Sequence, residues 1–185
     1  MEDKEILDLY FRRDEDAIVR TKEAHGDFCC RIASNILPTH EDVEECVSDT
    51  WLRAWNAIPP ARPDPMRPFL GRITRNLALS RWRKNRAAKR GGSETTICFD
   101  ELADCLPGGA EPERVIEAKA LEETVNAFLG ALKPGERSVF LARYWYFAPV
   151  REIAARTGKT ESAVKSSLLR TRRKLYDYLN GEGLL

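Results

Sequence analysis

Apolar residues along the chain recur at steps of three and four, and no stretch alternates with period two over the length of a strand. The pattern predicts an all-α fold. Ile6, Leu7 and Tyr10 share one side of a short opening helix, and a second helix is predicted from about Asp16 to Leu37, with Ile18, Phe28, Ile32 and Ile36 on its apolar side. Gly26 weakens the middle of that helix by ~1 kcal/mol relative to Ala. Pro38 ends it, and Thr39 is placed to cap the next.

The third helix, through THEDVEECVSDTWLRAWNAIPP, has two faces. Val43, Val47, Thr50, Leu52, Ala54 and Ile58 contribute apolar surface, with Trp51 and Trp55 four apart. Asp42, Glu44, Glu45 and Asp49 form an acidic stripe. Residues 59–68 hold five prolines and cannot be regular helix. Helix resumes near Arg67, with Phe69, Leu70, Ile73, Leu77 and Leu79 or Trp82 expected inward. Arg72, Arg75, Arg81, Arg83, Lys84, Arg86, Lys89 and Arg90 crowd the remainder.

Residues 91–113 contain four glycines, two prolines and acids but no Lys or Arg, and read as a linker with one short helical turn around Phe99 to Cys105. Helical periodicity returns at Pro112 with Val115, Leu121, Val125, Phe128, Leu129 and Leu132. Pro134 then opens a helix bearing Val139, Phe140, Leu141 and Tyr144. Pro149 suits the first turn of the following helix. Gly158 can take the left-handed conformation that ends it, and Thr160 caps the last one. Val164, Leu168, Thr171 and Leu175 form the inner face there. Glu161, Ser162, Lys165, Ser166, Leu169, Arg172 and Arg173 fall opposite. A short helix, a three-residue turn with Gly and a basic second helix describe a helix-turn-helix. The expected organisation is two small helical domains, residues 1–90 and 114–185, joined by a flexible linker, 91–113.

Charge sharpens this picture. The 185 residues carry a formal net charge of +1, but its distribution is strongly segregated. Residues 1–60 carry −7, 61–92 carry +9, 93–136 carry −7 and 137–185 carry +6. Two basic blocks alternating with two acidic ones suggest two polyanion contacts and separate surfaces for other partners. In the first basic block Asn76 and Trp82 interleave the cations with a base-edge reader and a stacking surface, as a single-stranded nucleic acid requires. The competing reading makes Trp82 core and the arginines a solvated face. In the second block, Ser162, Lys165 and Ser166 lie near the start of the second helix, where base edges are met. Arg170, Arg172, Arg173 and Lys174 lie where phosphates are met.

The chain has no Gly-rich phosphate loop, GxSxG or HExxH, and only two histidines, so enzymatic chemistry is not expected. His25 and Cys29 are four apart beside Cys30, and Cys98 and Cys105 flank a turn. No CxxC is present, and the cysteines read as small buried hydrophobes, with no metal or cofactor expected. The acidic start is no secretory signal, and no apolar run approaches the ~20 residues that span a bilayer. A cytoplasmic protein is expected.

The order of these features resembles the extracytoplasmic-function (ECF) sigma factors, the small two-domain initiation factors of bacterial RNA polymerase. The family stretch similar to DAEDLVQEVF appears as residues 42–51, with Glu45 for Asp and Ser48 for Gln. The resemblance implies that Asp42, Glu44, Glu45, Ser48, Asp49 and Trp51 bind core polymerase. The pattern WL..I..N...D..R appears as Phe69, Leu70, Ile73, Asn76, Ser80 and Arg83, Ser80 replacing the carboxylate. It implies capture of the melted minus-ten strand by Arg72, Arg75, Asn76, Arg81, Trp82, Arg83 and Arg86. The pattern EIA..LG.s.gTVKSRL.RAR..L matches Glu152-Ile153-Ala154, Gly158, residues 163–168, Arg170-Thr171-Arg172 and Leu175. It implies minus-thirty-five recognition by Lys159, Ser162, Lys165, Ser166, Arg170, Arg172 and Arg173. Ser167, where Arg is common, removes one expected phosphate contact. Core polymerase, promoter DNA in duplex and melted form, and an anti-sigma factor are the implied partners, with no small-molecule substrate. The alternative is a helix-turn-helix regulator with an N-terminal sensor or dimerisation domain, which leaves the first basic block without a role.

Overall fold

The structure, a computed structural model, describes residues 2–86, 94–103 and 115–183, with side chains placed over 2–84, 95–102 and 121–183. Among the described residues every regular element is helical. The chain divides into two compact units, Met1–Ser93 and Glu94–Leu185.

The first unit holds α1 (Asp3–Phe11), α2 (Asp16–Ile36), α3 (His40–Ala57) and α4 (Met66–Arg86). The last three pack against one another, and α1 lies on α2. Thr39 caps α3 by accepting the Asp42 N–H. The proline-rich stretch, expected to be non-helical through residue 68, turns helical at Met66, with Pro68 in the first turn of α4, where its missing N–H is tolerated. Asp3 ties α1 to both neighbours. Its Oδ1 meets His25 Nε2 at 3.0 Å, and its Oδ2 accepts the Met66 N–H at 2.9 Å. Between α3 and α4 the buried Thr50 and Thr74 hydroxyls lie 3.2 Å apart. Each donates to the carbonyl four residues back, on Cys46 and Leu70, so the core carries no unmet hydroxyl there. Gly71 lets α2 approach α4 closely, since a Cβ there would stand 3.1 Å from Phe28 Cε1.

Two apolar assignments in this unit change. Leu70, Leu79 and Trp82 are buried with Met66, Thr74 and Ala78, while Phe69, Ile73 and Leu77 are only half-buried. Leu52 is 58% exposed and leaves the α3 core to Val43, Cys46, Val47, Thr50, Trp51 and Ala54.

The second unit holds α5 (Glu94–Ala103), α6 (Val115–Ala131), α7 (Pro134–Phe140), α8 (Val150–Thr157) and α9 (Glu161–Gly181). A π-helical turn over Leu141–Trp145 follows α7, closed by the Tyr146 N–H to Leu141 carbonyl bond. The stretch read as a linker thus contains a ten-residue helix, longer than the single turn expected. Buried Thr95 and Cys98 face the unit, the Cys98 thiol donates to the Arg143 carbonyl at 3.4 Å, and Phe99 meets the Phe147 ring. Cys105 and Pro112 lie outside the described residues.

The helix-turn-helix follows its local signals. Pro149 sits one position earlier than expected, as the cap of α8. Gly158 takes φ +65°, and Thr160 accepts the Ala163 N–H. Val164, Leu168, Thr171, Leu175 and Leu179 are buried.

Candidate nucleic-acid and partner interfaces

On α3, Glu41, Glu44, Glu45 and Ser48 are exposed and Asp42 and Asp49 half-buried. With 3.6 residues per turn these positions share one side of the helix, and Leu52 falls in their midst. The face is therefore an acidic rim around one exposed leucine. The i+4 step from Ser48 and the i+7 step from Glu45 were the signal for placing Leu52 here. Trp51, expected on the same face, is buried at 7% exposure.

On α4, Arg72, Asn76 and Arg83 are exposed and fall within about 40° of each other around the axis. Arg75 is half-buried at their flank, where burial, followed by the charge of Arg83, lowers its pKa. Trp82 is buried at 9% exposure, so its ring is core and offers no open stacking face. The Arg86 side chain lies outside the described residues.

Arg81 departs furthest from its expected place. It emerges about 180° from Arg72 and reaches α3, with Nη1 2.6 Å from Glu45 Oε2 and Nη2 2.7 Å from Asp49 Oδ2. Hydrogen bonds to those two carboxylates raise its pKa, and the same pairing lowers that of Glu45. One residue expected on the strand and two expected on polymerase are thus joined to each other. A cavity bordered by Asp42, Arg53, Leu77, Ser80 and Lys84 surrounds the triad.

In the second unit, Lys159, Ser162, Lys165, Ser166, Arg170 and Arg173 are all exposed along α9 and its preceding turn. Arg172 is drawn to the side, and Nη1 meets Glu101 Oε2 at 3.3 Å and donates to the Tyr144 hydroxyl. Lys174 pairs with Glu136 at 3.1 Å. Ser167 is buried at 6% exposure, on the Val164 and Thr171 side. Its position points into the unit, away from the exposed polar side of α9.

Sequence reading missed the centre of this unit. Arg143, 2% exposed within the π-helical turn, donates to Glu101 through Nε (3.3 Å) and Nη2 (3.0 Å) and to the Ala148 carbonyl at 3.2 Å. The Tyr144 hydroxyl donates to Glu101 Oε2 at 2.9 Å. Burial opposes ionisation of Glu101, but hydrogen bonds from Arg143 and Tyr144, with the Arg143 and Arg172 charges, outweigh it and hold its pKa below the usual value. No spacing rule links Glu101 to a residue 42 positions away.

Among the described residues no three His, Cys, Asp or Glu side chains gather to hold a metal. Cys29 and Cys46 are buried, which pushes their pKa values up to about 11 and about 12. No helix among the described residues is long and apolar enough to cross a membrane.

Residues 22–88 match the family model for sigma-70 region 2, and residues 123–175 match that for sigma-70 region 4. Over 163 residues the chain is 30% identical to the RNA polymerase sigma factor CnrH of Cupriavidus metallidurans, covering 85% of this chain and 84% of that one. The chain belongs to the ECF sigma factors. It is also 27% identical over 156 residues to the ECF RNA polymerase sigma factor SigE of Mycolicibacterium smegmatis, spanning 84% of this chain and 58% of that relative. The structure of CnrH in complex with the cytosolic domain of CnrY is matched over 97% of each chain at 23% identity and TM-score 0.45. The region 2 match contains the acidic face of α3 and the basic face of α4. The region 4 match contains the helix-turn-helix of this sigma factor through Leu175.

Proposed function

We propose that this sigma factor docks on core RNA polymerase through the α3 face of Glu41, Glu44, Glu45, Ser48 and Leu52, with Asp42 and Asp49 at its edge. It captures the melted minus-ten strand on the Arg72, Asn76 and Arg83 side of α4. It reads the duplex minus-thirty-five element with the exposed side of α9. The carrying observation is that one helical unit exposes an acidic face with an apolar centre on α3 and a cationic face with an amide on α4. An acidic, leucine-centred face suits a basic protein surface. A row of guanidinium groups with an interposed amide suits a nucleic-acid strand.

The proposal assigns the phosphoryl transfer to the polymerase and no reaction to this chain. Residues 1–90 and 94–185, the latter including α5 with Glu101 and not starting at 114, act as separate strand-capturing and duplex-reading domains in a cytoplasmic setting. An anti-sigma protein that covers the polymerase-docking face is part of the same reading, on the family resemblance.

The test is transcription with bacterial core polymerase on a genomic fragment library, with start sites mapped. Discrete new starts sharing two spaced upstream elements are expected only when the protein is added. A DNA footprint by a dimer of the protein alone, with no polymerase binding, would instead establish the helix-turn-helix regulator.

A further inference from the structure

The buried residues of α9 (Val164, Ser167, Leu168, Thr171, Leu175 and Leu179) occupy one side of the helix. At about 100° per residue, Ser162, Ser166, Leu169 and Arg173 run along the opposite side, furthest from the core. All four are exposed, and Leu169 leaves 43% of its surface to solvent in the middle of a polar, basic face. A single exposed leucine is ordinary. Its register is not. It lies one turn beyond Lys165 and Ser166 and two beyond Ser162, in the half of the helix that follows the Thr160 cap. A helix-turn-helix inserts that half of its second helix into the major groove. Hydroxyl and ammonium groups there meet base donors and acceptors, whereas the 5-methyl group of thymine is the groove feature that favours an apolar side chain.

We propose that Leu169 is a specificity-determining residue that selects a thymine in the minus-thirty-five element by packing on its 5-methyl group. The assignment rests on the proposed reading of α9 as the duplex reader and adds what one side chain reads. Ser162 and Ser166 end in hydroxyls, which suit base donors and acceptors and not a methyl. Lys165 and Arg173, on either side of Leu169, fit a guanine edge and a backbone phosphate. A protein surface is the other possible cover for an exposed leucine, but the adjoining cations favour a polyanion.

The experiment uses the reconstituted holoenzyme and a promoter defined by start-site mapping. Each thymine of its minus-thirty-five element is replaced in turn by deoxyuridine, which removes only the methyl group, and affinity is measured by competition. The wild type should lose about fourfold at one position, the worth of one buried methyl. Leu169→Ala should bind more weakly and be indifferent to deoxyuridine at that position. Leu169→Met, which keeps an apolar side chain of similar volume, should retain the discrimination. Insensitivity at every thymine, or an undiminished penalty in Leu169→Ala, overturns the assignment. Weakened assembly with polymerase and an unchanged deoxyuridine penalty would also overturn it and make Leu169 a protein contact. Absence of any discrete start site would overturn the proposed function itself, before deoxyuridine is introduced.

Discussion

Arg81 of α4 binds Asp49 of α3 at 2.7 Å, with Glu45 on its other terminal nitrogen at 2.6 Å. The side chain is 20% exposed and turned away from Arg72 and Arg83, in the position of an internal counterion to the acidic face. Arg81→Gln should leave holoenzyme affinity for a minus-ten single strand within about twofold, while one lost phosphate contact in Arg83→Gln should flatten the log affinity against log salt slope by about 0.7. Fluorescence anisotropy over a salt series measures both. Equal losses in the two variants would return Arg81 to the strand.

Glu101→Gln should destabilise the second unit by roughly 2–3 kcal/mol at pH 7, because it leaves Arg143 buried without its carboxylate. The figure lies below that for a fully buried pair because the Glu101 side chain is 27% exposed. Glu101 has a lowered folded pKa, so the unfolded state holds its proton more tightly. Its contribution is complete above the ordinary glutamate range and disappears as pH falls through the folded value. Urea unfolding should therefore separate wild type and Glu101→Gln at pH 7 and bring them together in acid. A constant difference would exclude the charge as its origin.

Gly158→Ala should cost about 1–2 kcal/mol, since φ +65° places a Cβ against the backbone. Beyond its own chain neighbours nothing lies within 4 Å of that Cβ, so the penalty is conformational and Gly158→Asn should recover part of it. Thermal unfolding of the three proteins gives the order directly.

Gly71→Val should destabilise the first unit by about 1–3 kcal/mol through overpacking, because even a Cβ meets Phe28 at 3.1 Å and Ile32 at 3.4 Å. An unchanged melting temperature would show that the Phe28 ring yields freely.

Thiol labelling of the native protein at pH 7.5 should modify Cys30, which is exposed, well before Cys29 and Cys46. Burial keeps the latter two protonated, with pKa values pushed up to about 11 and about 12. Peptide mass spectrometry ranks the sites, and rapid loss of Cys46 would reveal local opening between α3 and α4.

Helix ends and the helix-turn-helix were legible from the chain because their determinants act within a few residues. Thr39 and Thr160 accept N–H groups three residues on, and Gly158 answers a backbone demand at its own position. The acidic and basic stripes were legible for the same reason, as periodicity places them on α3 and α4 without a neighbour. Aromatic residues on a basic helix were harder. Trp82 suits a stacking surface or a core equally, and only its own burial, with Thr74 and Ala78 buried on its side of α4, decides for core.

The sequence by itself determined an all-α chain, two charge-segregated halves and a basic reading helix, since each follows from local propensity, capping and period. Tertiary structure alone decided that Arg81 serves the acidic face, 32 residues away at Asp49, and that Arg143 and Arg172 converge on Glu101. It also decided that Ser167 turns in. The physical reason is that a long cationic side chain reaches whichever carboxylate packing brings near, and helical period assigns a residue to a face without saying what that face meets.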